Sequence, residues 1–228
     1  MPTHLEQSLQ RDIDRIHAKV CEMRDLIETS LRNAMTALLD ANRQIAYAVI
    51  LRDDLIDEKE KELDRLCLEF LVRQQPVAGK LRFAYSTIKM NQEMEQIGDY
   101  SENISRQALK IGELPDVVSR ERFKEISDMS IKMFGDAIEA YLTENVDLAR
   151  RTMAVEQAVD ALKSRLNTDL VDLYKEGKIP FDVLRPLTTI ARRMERVTDR
   201  CRNICMEIIY MCTGEYAKHE GSDIFRVL

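Results

Sequence analysis

Apolar residues recur at spacings of three and four along almost the whole chain, and that rhythm limits what it can fold into. Ile13, Ile16, Val20, Met23, Ile27, Leu31, Ala34 and Leu38 keep a heptad-like beat, which places their side chains on one face of a helix. This spacing predicts a first helix at roughly 4–40. A second is expected from about Asn42 to Val72, with Ile45, Ala48, Ile56, Leu63, Leu66 and Phe70 on one side. A third is expected at about 77–111, with Met90, Met94, Ile97, Ile104, Ala108 and Ile111 as its stripe. QQPVAG at 74–79 and GELPD at 112–116 interrupt the pattern; in the latter, Gly112 suits a helix C-terminus and Pro115 bars continuation. Three further helices are expected at about 117–142, 145–176 and 181–212, with EGKIP at 176–180 as breaker. With 7 Gly and 5 Pro in 228 residues, turn formers are too scarce for an all-β fold.

The two halves resemble each other in their polar residues as well. Residues 94–104 read MEQIGDYSENI and residues 194–204 read MERVTDRCRNI, sharing Met, Glu, Asp, Asn and Ile at an offset of 100. Asn42, Asp53 and Asp57 meet Asn145, Glu156 and Asp160 at an offset of 103. Helical sequences repeat apolar positions by chance; matching polar identities in one frame points to a tandem duplication. The expected fold class is therefore all-α, two tandem three-helix bundles at 1–112 and 113–219, with a tail at 220–228. A 30-residue helix is about 45 Å long, so two elongated bundles joined at the middle are expected.

Each half offers two acidic pairs at i, i+4: Asp53 with Asp57 and Glu95 with Asp99, then Glu156 with Asp160 and Glu195 with Asp199. That spacing sets both carboxylates one turn apart on one helix face, where they can share a cation. Asn103 and Asn203 lie one turn further along and offer an amide oxygen. At 100° per residue, Glu95 and Asp99 fall about 160° from Ile97, opposite the apolar stripe; Glu195 and Asp199 stand likewise opposite Val197. Surface clusters are expected, not a metal enclosed in a core. All-oxygen donors suit a hard cation such as Mg, Mn or Fe. The bland alternative is a solvated charged face. In the second half Arg192, Arg196 and Arg202 stand three residues from Glu195 or Asp199, whereas the first half adds Asp54, Glu58, Glu93 and Glu102. The N-terminal cluster is thus expected to be the more electronegative.

Other chemistries find little support. A net charge of −6 offers no basic excess for a phosphate backbone, so no nucleic-acid partner is expected. No apolar run approaches the length of a membrane span, and MPTHLEQSLQRD lacks a signal-peptide core, so the expectation is a cytoplasmic protein without a membrane span. Cys21, Cys67, Cys201, Cys205 and Cys212 form no CxxC pair and read as reduced, non-catalytic thiols. His4, His17 and His219 follow no Glu at i+3, which argues against a ferritin-like di-iron site, and no phosphate-binding glycine loop is present. The chain is not expected to be an enzyme.

With these motifs in hand, the chain resembles the PhoU family of bacterial phosphate-uptake regulators. The family carries (E/D)xxxD within a pattern like LERIGDxxxNI, twice per chain, matching 94–104 and 194–204; DDLID at 53–57, EQAVD at 156–160 and TGEYAKH at 213–219 fit as well. Thr198 and Cys201 stand where Gly and Ala are expected, and Arg200 where His is common. The resemblance implies a cytoplasmic, usually homodimeric adaptor peripherally associated with the inner membrane. It would join the ATPase subunit of the phosphate ABC transporter to a sensor histidine kinase and restrain the phosphate-starvation response. It also implies a divalent or trivalent metal (Fe, Mn, Mg or Zn) on Asp53, Asp57, Glu95, Asp99, Glu156, Asp160, Glu195 and Asp199. The alternative is a metal-binding or structural bundle with no signalling role. The tail EGSDIFRVL is expected to be a disordered end or the opening strand of a further domain.

Overall fold

The structure is a computed structural model that describes residues 4–216; the expectation for the tail lies outside them. Among the described residues there are seven helices: α1 (His4–Leu39), α2 (Arg43–Gln74), α3 (Ala78–Ile111), α4 (Arg120–Leu142), α5 (Val146–Met153), α6 (Val155–Lys175) and α7 (Phe181–Thr213). The six expected helices are present, the fifth divided into α5 and α6 at Ala154, whose amide donates to the Arg151 and Thr152 carbonyls. No strand occurs among the described residues.

Matched residues terminate matched helices. Asn42 and Asn145 each accept the amide three residues on, from Ile45 at 3.1 Å and Leu148 at 2.9 Å, capping α2 and α5. Ala41 and Glu144, at φ 53° and 49°, make the same left-handed step before each cap. Gly112 closes α3 at φ 73°, a conformation open to glycine without steric cost.

The apolar stripes are buried as the spacing requires: every residue of the first stripe, from Ile13 to Leu38, lies in the core, as do Met94, Ile97, Met194 and Val197. On α2 the inner face is made by Ala46 and Val49, and Ala48 is exposed, so the expected placement of Ala48 is one step off. α1, α2 and α3 pack on one another, as α7 does on α4, α5 and α6.

The two halves are not joined end to end at the middle. α3 and α7 make the most extensive helix pairing in the molecule, and a single continuous core runs through both halves. The pair is antiparallel: Arg82 reaches the Met211 carbonyl, Lys89 pairs with Glu207, and Arg193 Nε donates to Asn103 Oδ1 at 3.1 Å. Asn203 Nδ2 donates to Glu93 Oε2 at 3.2 Å, the counterpart of the Arg193–Asn103 contact under the offset of 100. The repeated motifs therefore lie alongside one another across a local pseudo-twofold axis. Asn103, Asn203, Glu93 and Arg200 are committed to this seam, with Arg200 Nη1 also 3.2 Å from Glu93. The amide oxygen of Asn103, expected to face a cation, thus accepts from Arg193, whereas Asn203 enters the seam through its Nδ2.

Candidate metal centre

α3 is packed by α1, α2 and α7, so the strip opposite Ile97 faces a groove shared with α2 and does not stand clear in solvent. Asp53 and Asp57 enter this groove from α2, Glu95 and Asp99 from α3. Asp53, Asp57 and Glu95 are partly buried and Asp99 is exposed. Asp57, Glu95 and Asp99 each bring one carboxylate oxygen to within 4.8 Å of the others. Asp53 lies beside this trio, close enough for Asp99, Glu102 and Asp57 to raise its pKa.

The groove extends past the expected residues. Glu60 and Asp64 continue the α2 row one turn at a time, a 53–57–60–64 spacing that the sequence displays but that pairwise reading passed over. Asn91 of α3, fully buried, donates from Nδ2 to the Glu60 carbonyl and to Asp64 Oδ1, both at 2.8 Å. Electrostatic strain accumulates along the row. Burial, then the neighbouring Asp99, Glu60, Asp57 and Asp53, pushes Glu95 up to about 7. Burial and its acidic neighbours raise Asp53 to about 6. Asp99 and Glu60 shift upward for the same two reasons, with Arg193 opposing the shift at Asp99. Arg106 engages Glu102 at 2.6 Å at the rim.

The groove between α6 and α7 has the same plan and a different charge pattern. At the offsets of 103 and 100, Lys163 replaces Glu60, Asn167 replaces Asp64 and Arg202 replaces Glu102. Lys163 Nζ reaches Glu195 at 3.2 Å, Arg202 Nε reaches Glu156 at 3.1 Å and Arg196 Nη1 reaches Asp199 at 2.9 Å. Of the expected arginines, 196 and 202 take up these roles; the cations on Glu195 are Lys163 from α6 and, at 3.8 Å, Arg196, and not Arg192. Asp160 is exposed at the edge of this groove. The eight candidate carboxylates thus fall into two groups: among the described residues no ion pair engages the four of the first, whereas Glu156, Glu195 and Asp199 of the second are paired with side-chain cations.

Three carboxylate oxygens converging on one point, with no sulfur or imidazole donor among them, fit a hard divalent or trivalent cation. The thiols take no part: all five are free, and burial pushes Cys67 and Cys205 up to about 12. His17 is held between the Phe83 and Tyr141 rings, 5.5 and 5.4 Å away, and burial lowers its pKa.

An all-helical tandem repeat with paired acidic grooves defines a class, and the comparisons place the chain within it. The PhoU domain matches residues 20–108 and again 123–208, and the chain belongs to the PhoU family. It is 31% identical over 212 residues to a Thermotoga maritima protein named phosphate-specific transport system accessory protein PhoU homolog 1, covering 92% of this chain and 90% of that one. It is 28% identical over 223 residues to the Escherichia coli phosphate-specific transport system accessory protein PhoU, covering 96% and 91%. The crystal structure of PhoU from Pseudomonas aeruginosa superposes with a TM-score of 0.84 at 27% identity, covering 90% of this chain and 99% of that one. A Streptococcus pneumoniae PhoU structure shares the fold at a TM-score of 0.86 and 19% identity, covering 92% and 100%.

Proposed function

We propose that the chain is an accessory regulator of phosphate transport, a non-enzymatic adaptor that couples the phosphate ABC transporter to a sensor histidine kinase and restrains the phosphate-starvation response. Support for the regulatory role comes from the two PhoU domains and from the names of relatives matched over most of the chain. Among the described residues no helix is long and apolar enough to cross a membrane. Association with the inner membrane would then run through partners, with the chain cytoplasmic and dimeric as the family resemblance implies.

The second part of the proposal is that the first groove holds a hard metal ion, Mg, Mn or Fe before Zn. The observation that carries it is the Asp57–Glu95–Asp99 trio, three oxygens within 4.8 Å of one another, which no ion pair engages among the described residues. Asp53 stands beside them, and bound metal would discharge the repulsion that raises Asp53 and Glu95. Glu156, Asp160, Glu195 and Asp199 form the weaker site because their cations are already built in. Free phosphate is repelled by such a groove unless metal reverses the local sign.

A pull-down with the transporter ATPase subunit and with the kinase sensor domain, at high and low phosphate, tests the adaptor. Retention of both is expected, and retention of neither leaves a structural or metal-binding bundle. Calorimetry tests the site: Mn should bind to stripped protein at the first groove, and phosphate only afterwards. Strong phosphate binding to stripped protein would refute the electrostatic argument.

A further inference from the structure

α2 carries a second apolar row on its outer side. Tyr47, Leu51 and Leu55 follow at four-residue intervals and are 50%, 77% and 45% exposed. A single exposed leucine needs no explanation, but three on successive turns of one face form a patch. The fold does not demand it: at the offset of 103 the second repeat places Arg150, Ala154 and Ala158 there. Leu55 also joins Leu26 and Ile56 in an open cleft of about 640 Å³ between α1 and α2, roomy enough for a large side chain.

The flanks of the row differ. With Leu51 at zero, Tyr47 and Leu55 lie within about 40°, while Glu58 and Asp54 fall about 20° and 60° to the side that leads to Asp57 and the acidic groove. Arg52 and Lys59 lie about 80–100° to the other side, where Lys59 is tied to Glu22 and Glu62 at 3.2 Å each. Among the described residues no ion pair engages Asp54, Glu58 or Arg52. The acidic flank therefore carries two unpaired charges against one on the basic flank.

We infer that this face docks an amphipathic helix of a partner protein. The helix would set an apolar seam on Leu51 and Leu55, one large side chain in the α1–α2 cleft, and a basic flank over Asp54 and Glu58. Charge complementarity selects this occupant, since flanking charges decide which helices pair. An antiparallel second copy fits less well, because that pairing brings each acidic flank onto its own copy. The inference rests on the adaptor reading above and names the kind of segment such an adaptor would grip.

The test titrates the full chain, by fluorescence anisotropy, with a synthetic Leu-seamed helix about three heptads long with Lys on its flanks, and with a sister peptide carrying Glu instead. The Lys peptide should bind at least about tenfold tighter than the Glu peptide, and L51Q/L55Q should lose about tenfold. D54K/E58K should lose about fivefold, while A154Q/A158Q should bind as the parent does. Equal affinity of L51Q/L55Q and parent for the Lys peptide would reduce the effect to general charge attraction and overturn the inference. So would a dimer in sedimentation that L51Q/L55Q dissolves, since the occupant would then be a second copy. If the peptide results hold while both pull-downs fail, the docking face stands and the adaptor reading falls.

Discussion

The α2–α3 groove and the α6–α7 groove are built from helices that correspond through the repeat, yet they settle the problem of crowded acids in opposite ways. The first sets seven carboxylates along its two walls, Asp53, Asp57, Glu60, Asp64, Glu95, Asp99 and Glu102. The second keeps four, Glu156, Asp160, Glu195 and Asp199, and replaces others with Lys163 and Arg202. The difference separates what the fold needs from what a site needs. Both grooves fold; only the first retains repulsion that an external cation would relieve.

The largest expected effect tests what the halves share. Ile97→Asp and Val197→Asp should each cost several kcal/mol, about 3–5, because both side chains are fully buried and an unpaired charge there has no partner. Urea melts should show both variants similarly damaged; a tolerated substitution in either half would break the equivalence of the two cores.

The next prediction moves the second groove toward the first. Lys163→Glu with Arg202→Glu leaves Glu156 without its partner and Glu195 with only the 3.8 Å contact to Arg196, and should destabilise the stripped protein by about 2–3 kcal/mol. Mn should restore much of that loss and calorimetry should register a second site; an unchanged stoichiometry would show that charge alone does not separate the grooves.

A packing difference has a comparable scale. A Cβ on Gly98 would stand 3.0 Å from Ile56 Cδ1 and Cγ2. The second repeat places Thr198 at that point and, at the offset of 103, Val159 where the first has Ile56. Gly98→Thr should cost about 1–3 kcal/mol through overpacking, and adding Ile56→Val should recover most of it. Thermal melts of the single and double variants decide this, and equal melting of the two would reject the exchange of volume.

Truncating one acid should have opposite signs in the two repeats. Glu95→Ala relieves repulsion and should stabilise stripped protein by a few tenths to about 1 kcal/mol while weakening Mn binding. Glu195→Ala leaves Lys163 without its partner and should destabilise. Melting with and without Mn gives both signs.

The smallest effect is in pH. Glu95, raised to about 7, holds a proton in the folded chain that the unfolded chain has already released. The folded state of stripped protein therefore loses stability as pH rises from the ordinary carboxylate range through about 7. Glu95→Gln should melt close to the parent near pH 5 and above it near pH 8, and a gain that shrinks with rising pH would reverse the assignment.

Much of this was legible along the chain because helices write their buried face into the sequence every three or four residues. The helix spans, the Gly112 stop and the doubled motif could all be read from local spacing. The relative electronegativity of the two clusters was legible too, since Arg196 and Arg202 lie within one turn of Asp199. Contacts set by how helices lie against one another were not. Lys163 serves Glu195 from a different helix, and Asn103 turns to α7 because the two motifs run antiparallel side by side, a pairing no local period encodes. The break at Ala154 carries no proline or glycine to announce it. Tyr47, Leu51 and Leu55 escaped notice because a one-stripe reading of α2 treats apolar residues off the stripe as noise.

Arg193 belongs to the second repeat, yet it bonds Asn103 of the first and, across the seam, opposes the rise that burial, Asp57 and Glu102 impose on the Asp99 pKa. Ownership of the first cluster is thus divided between the copies. A gene segment that doubled did not yield two self-sufficient modules; each came to modulate the ionisation of its neighbour. Drift in the later copy can therefore retune the earlier one without touching any of its own carboxylates.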